Sequence, residues 1–230
     1  MRYGFNRTEA IPDERNMIFE PSGAMGGDGT AICVILDIET TGDVDNDCNC
    51  ALMNSAVKEI VNLLATAEPC VDVSVCGNII TAVFDTVFKC ACTVVVRYMS
   101  MIYSLMAIVN MEARKWLGGS GKILCRIGAD IGHVTASFAT DDPVNKRTMM
   151  YFGSALNGAI ALAQKPSDSA KVLRISKSVY DNIEDDMRMT KIVNYRDYFT
   201  MNGKFYDSYL SDSDLNDVLE RVNAELGINN

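Results

Sequence analysis

Asp37 closes the apolar run Ala31-Ile-Cys-Val-Ile-Leu36 and is followed at once by Ile38, Glu39, Thr40, Thr41 and Gly42. A carboxylate at the end of a buried strand, trailed by small hydroxylated residues, can hold a divalent cation against a phosphate. The Glu39-Thr40-Thr41-Gly42 turn can offer backbone N–H groups to phosphate oxygens. A second apolar run, Val71 to Phe84, is broken only by Cys76-Gly77-Asn78. That pattern predicts two strands joined by a tight turn whose polar tip can lie beside Asp37. Gly and Asn both tolerate positive φ, so Asn78 is also what a tight turn selects on its own account. Together the two segments point to nucleotide chemistry.

These residues need elements to hold them. Residues 1–30 are polar and rich in Gly and Pro, which predicts an irregular lead-in, with the globular part following over 31–230. A strand is expected over 31–38. The acidic stretch 42–48 reads as a loop, and Leu52, Ala56, Ile60, Leu63 and Leu64 recur at helical spacing until Pro69. Strands follow near 71–76 and 79–85, then a long helix from about Val87 to Leu117, closed by Gly118-Gly119-Ser120-Gly121. Two β-like runs, 123–129 and 133–138, flank an expected turn at Asp130-Ile131-Gly132. A helix over 154–165 stopped by Pro166, a strand at 172–175, a short helix at 177–183 and a capped amphipathic helix over 211–226 complete the reading. The order strand, helix, strand, strand, helix, strand is that of an α+β, ferredoxin-like sheet with helices on one face. In such a sheet the first strand and the central hairpin are neighbours, which brings Asp37 to Asn78.

Composition narrows the ligand. A formal charge of -9 and a pI near 4.6 argue against nonspecific binding to nucleic acid or to an anionic membrane. The chain opens without an apolar signal segment, which predicts a cytoplasmic protein. The charge-free stretch from Tyr98 to Met111 is shorter than the ~20 residues that span a bilayer, so a buried or interfacial helix is expected. The eight cysteines lie largely in apolar runs (Cys33, Cys76, Cys90, Cys92, Cys125) and read as reduced core thiols. Cys48-Asn49-Cys50 and Cys90-Ala91-Cys92 have one residue between the thiols where zinc sites use about two to four, and the single histidine, His133, has no cysteine near it in sequence. The acidic loop Asp43-Val-Asp-Asn-Asp47 lacks the glycine and glutamate spacing of a calcium loop. The methionines at 99, 101, 106 and 111 fit a buried face or a dimer seam.

Five segments in order, Asp37-Ile38, Val75 to Phe84, Arg126 to Gly132, Tyr151 to Ala159 and Ile175 to Tyr180, resemble the successive motifs of class III nucleotide cyclases. Ile11-Pro-Asp-Glu-Arg15, Val83-Phe-Asp-Thr86 and Gly128-Ala-Asp-Ile-Gly132 are most similar to the pyrimidine cyclases of bacterial Pycsar antiphage defence. The resemblance implies a homodimer with sites across its interface and two divalent cations, Mn2+ or Mg2+. It also implies release of pyrophosphate with a 3′,5′-cyclic mononucleotide that a separate effector reads. By the motif, Asp37, the carbonyl of Ile38 and the Asn78 position correspond to metal ligands. Asn157 corresponds to a catalytic residue reaching ribose or phosphate from the partner subunit. Ser74 and Met150 stand where purine cyclases carry the lysine and aspartate that read adenine. A site without a base's donors and acceptors discriminates against that base, so a pyrimidine is implied, with UTP ahead of CTP because uridylate cyclisation is the commoner activity among the resembling enzymes.

Two positions depart from that pattern. Asn78 stands where a second metal carboxylate is implied, and Ala161, four residues after Asn157, where purine cyclases carry an arginine. An alternative expectation is therefore a catalytically silent cyclase-like protein that binds a nucleotide or a partner. Taken singly, Asp37 could cap a strand, Asn157 could pack within its helix, and His133 reads as a solvated strand residue.

Overall fold

The computed structural model describes residues 6–7, 25–39, 46–85, 91–116, 121–138, 149–166, 171–183, 192–195 and 198–201. In chain order these form β1 (Asn6–Arg7), β2 (Met25–Glu39), α1 (Asn46–Ala65), β3 (Cys70–Cys76), β4 (Ile79–Asp85), α2 (Ala91–Trp116), β5 (Lys122–Phe138), β6 (Met149–Phe152), α3 (Ser154–Gln164), β7 (Lys171–Ile175), α4 (Lys177–Asp181), β8 (Ile192–Tyr195) and β9 (Tyr198–Met201). The helix expected over 211–226, the turn residues Thr40 to Gly42 and Cys90 lie outside the described residues.

One sheet runs β3-β4-β2-β5-β7-β9-β8, with β1 on β2 and β6 on β5. Its first half, β3-β4-β2-β5, is antiparallel throughout and has the ferredoxin-like split βαβ order expected from the sequence. β7 lies parallel to β5, so β6 and α3 form the crossover between them.

Strict alternation explains the continuous apolar run of β2. Ile32, Val34 and Leu36 point into one core with Leu52, Ala56, Ile60 and Leu64 of α1 and Val95, Val96, Met99, Ile102, Met106 and Val109 of α2. Ala31, Cys33 and Ile35 point into a second core with Ala155, Leu156, Ala159 and Ala163 of α3. A strand covered on both faces has no polar side to show. The helices therefore occupy both faces of the sheet, α1 and α2 on one and α3 on the other, rather than one face as the element order suggested.

Two expectations are corrected. The segment 25–30, read as irregular lead-in, is strand, and Asp130-Ile131-Gly132, read as a turn, lies inside the single strand β5. The cause is mutual: Gly29, Thr30 and Ala31 pair with Gly132, Ile131 and Asp130, so each glycine-rich piece supplies the other's ladder partners. Strands β1, β6, β8 and β9 have no counterpart among the elements the sequence pattern predicts.

Small residues let α3 sit close. A Cβ on Gly128 would strike the backbone of Ala159 and Ala163, so the helix rests almost directly on β5. Arg174 of β7, 2 % exposed, anchors the other end of α3 by donating to the carbonyls of Leu162 (3.0 Å) and Pro166 (2.8 Å), where a helix C-terminus welcomes a cation. On the opposite face, buried Asn110 of α2 behaves as an extra strand residue. Its amide donates to the Ile123 carbonyl (3.0 Å) and accepts from the Ile123 N–H (2.6 Å), fixing where β5 begins.

By length and composition Ala91–Lys115 could cross a membrane, longer than the charge-free stretch suggested, yet 61% of its most apolar window is buried against this fold. Cys33, Cys92 and Cys125 are buried, whereas Cys76, expected in the core, is exposed at the hairpin edge; all seven described cysteines are free thiols.

Gly128→Ala should lower stability by roughly 1–3 kcal/mol, since backbone atoms rather than a flexible side chain meet the new methyl, and a urea midpoint reads it directly. Burial pushes the Cys33 thiol up to about 12 from an ordinary 9.0. The folded state therefore keeps this proton after the unfolded chain has released it, and stability present below pH 9 is lost as pH climbs from there toward 12. The slope from this group approaches about 1.4 kcal/mol per pH unit. Replacing Cys33 by Ala should flatten the alkaline decline in urea midpoint relative to the unsubstituted protein.

Candidate functional site

Beyond Ile35 the α3 layer ends while β2 continues, so the next side chain on that face, Asp37, emerges at the sheet edge with 40% of its side chain exposed. Ile38 turns the other way and packs against the α1/α2 core, leaving its main chain at the edge. Gly77 adopts φ +61°, and the turn it makes with Asn78 joins β3 to β4 as expected.

That turn meets Asp37. The Asn78 carbonyl accepts from the Leu36 N–H (3.0 Å), and the Asn78 side-chain amide donates to the Leu36 carbonyl (2.6 Å) and to Oδ1 of Asp37 (3.1 Å). Both neighbours are acceptors, which fixes the amide with NH2 toward them; reversing it would set three oxygens against one another. The other carboxylate oxygen, Oδ2, forms an ion pair with Arg126 of β5. Arg126 is cross-strand to Ile35, so it lies diagonal to Asp37 on the same face. A second pair, Lys122 with Glu39 (2.9 Å), lies at the end of the same ladder, where solvent leaves it little energy.

The implied cations do not fit this donor set as its side chains stand. A divalent ion needs converging oxygens, and here both Asp37 oxygens already face N–H donors while Asn78 presents NH2. Among the described residues no group of three His, Cys, Asp or Glu side chains comes together.

The other expected site residues are placed elsewhere. Ser74 is exposed on β3, its hydroxyl donating to Asp72 (3.4 Å), on the same sheet face as Asp37. Met150 pairs with Ser137, thirteen residues along β5 from Leu124, the partner of Asp37, or about 40 Å at ~3.3 Å per residue. Asn157 is exposed on α3 next to Gly158, which rests on Asp130; the partner of Asp130 is Ala31, six residues and roughly 20 Å from Asp37. Ala161 is exposed one helical turn further on. Within one chain, then, Asp37, Ile38, Asn78 and Glu39 form one group, whereas Asn157 and, further still, Met150 lie along β5 toward its other end. The motif resemblance assigns Arg126 no role; its mark in the sequence is a lone cation in an otherwise apolar strand pattern, Ile123 to Ala129.

No family model and no curated protein matches the chain. Solved structures do. The adenylyl cyclase CyaB from P. aeruginosa superposes with a TM-score of 0.59 at 14% identity, over 77% of this chain and 96% of that one. The guanylyl cyclase Cya2 gives 0.57 at 13% over 76% and 91%. The guanylyl cyclase domain of a RhoGC fusion protein from the aquatic fungus Blastocladiella emersonii, described as a non-canonical dimer, gives 0.58 at 16% over 77% and 98%. The fold is that of a class III nucleotide cyclase catalytic domain.

On this cyclase fold the Asn78 amide is a structural tie. Asn78→Ala should cost about 1–2 kcal/mol in urea denaturation by leaving the Leu36 carbonyl and Asp37 each short of a donor, while Ser74→Ala, at an exposed strand position, should stay within about 0.5 kcal/mol of the parent.

Proposed function

We propose that the protein is a pyrimidine nucleotide cyclase that converts UTP or CTP to the 3′,5′-cyclic monophosphate and pyrophosphate, a second messenger read by a separate effector in antiphage defence. The observation that carries this reading is the meeting of Asp37 with the Gly77-Asn78 turn at an open sheet edge of the cyclase fold. Cyclisation joins the 3′-oxygen to the α-phosphorus and expels pyrophosphate, so the site must neutralise phosphate charge and accept a proton. Arg126 supplies a planar, charge-assisted donor suited to phosphate oxygens, and its departure toward phosphate leaves Asp37 as an acceptor. The turn Glu39 to Gly42 holds the distal phosphates, and Ser74 of the same chain with Met150 of a second copy face the base without the charged groups that adenine reading employs.

Asn157 acts on a nucleotide held by a second copy of the chain. Its placement far from Asp37 supports an antiparallel, twofold-related homodimer in which each seam joins the β2–hairpin group of one subunit to the α3–β6 group of the other.

A catalytically silent, nucleotide-binding protein is the second reading, and a specific observation favours it: the Asn78 NH2 faces Asp37, and Ala161 offers no cation beside Asn157. Incubation of the protein and of Asn78→Asp with each of the four nucleoside triphosphates and Mn2+, with products resolved by mass, separates the two. Cyclic UMP or CMP is expected, with Asn78→Asp faster by roughly 10²-fold, equivalent to about 2.7 kcal/mol of barrier. Cyclic AMP as the main product would refute the pyrimidine assignment. A rise in melting temperature with UTP but no cyclic product from either protein would select the silent reading.

A further inference from the structure

The arrangement around Asp37 is complete without any added ion. One carboxylate oxygen accepts from the Asn78 amide at 3.1 Å, the other is paired with the Arg126 guanidinium, and the same amide holds the Leu36 carbonyl at 2.6 Å. Three oxygen atoms that would otherwise attract a cation are thus turned toward nitrogen donors of the chain itself. Charge balances as well, one carboxylate against one guanidinium. Arg126 is only 26% exposed, so its pairing is less screened than that of a surface ion pair. A divalent ion entering this edge would have to expel an amide whose two acceptors are fixed and break the guanidinium pair, with a single carboxylate to offer in return.

We infer that Asn78 and Arg126 act as built-in substitutes for a cation, so that the resting protein has no divalent-ion site at Asp37. This deepens the proposed function, because it concerns the same carboxylate, but its readout is independent of turnover. Asn78 is the residue that sets this property: as an aspartate it would face Asp37 across the same gap, and the two carboxylates would repel until a cation joined them.

The test is thermal melting of the whole protein in EDTA and in millimolar MnCl2, without nucleotide. The parent should melt at the same temperature in both. Asn78→Asp should melt lower than the parent in EDTA and rise by roughly 3 °C or more with Mn2+, the response expected of a ligand that binds the native state. Arg126→Met frees one oxygen of Asp37 without adding charge, and should also gain a Mn2+-dependent rise. A parent whose melting temperature climbs with Mn2+, and loses that response in Asp37→Asn, would overturn the inference. So would Asn78→Asp and Arg126→Met variants that fold yet ignore the ion. Absence of cyclic product in the turnover assay would leave these melting results untouched, and a metal-responsive parent would leave the choice of nucleotide untouched.

Discussion

The pairing of β2 with β5 governs the rest of the molecule. It runs unbroken from Met25 opposite Ala136 to Glu39 opposite Lys122, and β2 is covered by one helix layer on each face over its middle. A ladder of that length fixes the register of every side chain on it. A one-residue slip would move Asp37 from the open face into the α1/α2 core and bury Ile35 against the wrong layer. Devices elsewhere reinforce it: Asn110 sets where β5 starts, Gly128 and Gly132 let α3 approach, and Arg174 ties the end of α3.

The charge chemistry at the edge follows from this register. Arg126 can reach Asp37 only because the ladder sets it diagonal on the same face, and the Asn78 amide reaches both Leu36 and Asp37 because the β3–β4 turn ends level with Leu36. A carboxylate so placed has two alternatives: internal donors or an external cation. The side-chain nitrogens present choose the first, and the choice lies in one functional group of Asn78, an amide where a carboxylate would reverse it.

Local patterns in the sequence were legible wherever local physics decides the outcome. The two-sided apolar run fixed β2 up to Asp37, Pro69 and Pro166 marked where α1 and α3 had to have ended, and Gly77-Asn78 announced the hairpin, borne out by φ +61° at Gly77. What stayed hidden depends on distant partners. Gly26-Gly27-Asp28-Gly29 reads as loop until residues 132–135 are set beside it, and Asp130-Gly132 reads as turn until β2 is. Strands β6, β8 and β9 are four residues each, too short to carry a period. The Asp37–Arg126 pair is invisible for the same reason, since a diagonal contact between strands separated by two helices and a hairpin leaves no mark in local spacing. That helices cover both faces is not legible either, because the order of elements alone does not say on which face each helix lies.

The same ladder also divides the site. Asp37, Asn78 and Arg126 gather at the end where β5 begins, whereas Met150 belongs to the end where it finishes and Asn157 to the helix laid over its middle. Strands cannot fold back within a continuous ladder, so no rearrangement of one chain that preserves β5 shortens the distance between the two groups. If both serve one nucleotide, the second group must come from another molecule, and antiparallel apposition of two copies would bring each end of one β5 to the opposite end of the other, creating two equivalent seams by symmetry. The exposed Met150 and Phe152 on β6 lie at the end such an apposition would cover. On the proposed function, assembly is then required by how far a seventeen-residue strand extends, and the chemistry of each seam depends on which side chains, Asn78 and Ala161 among them, the two copies bring to it.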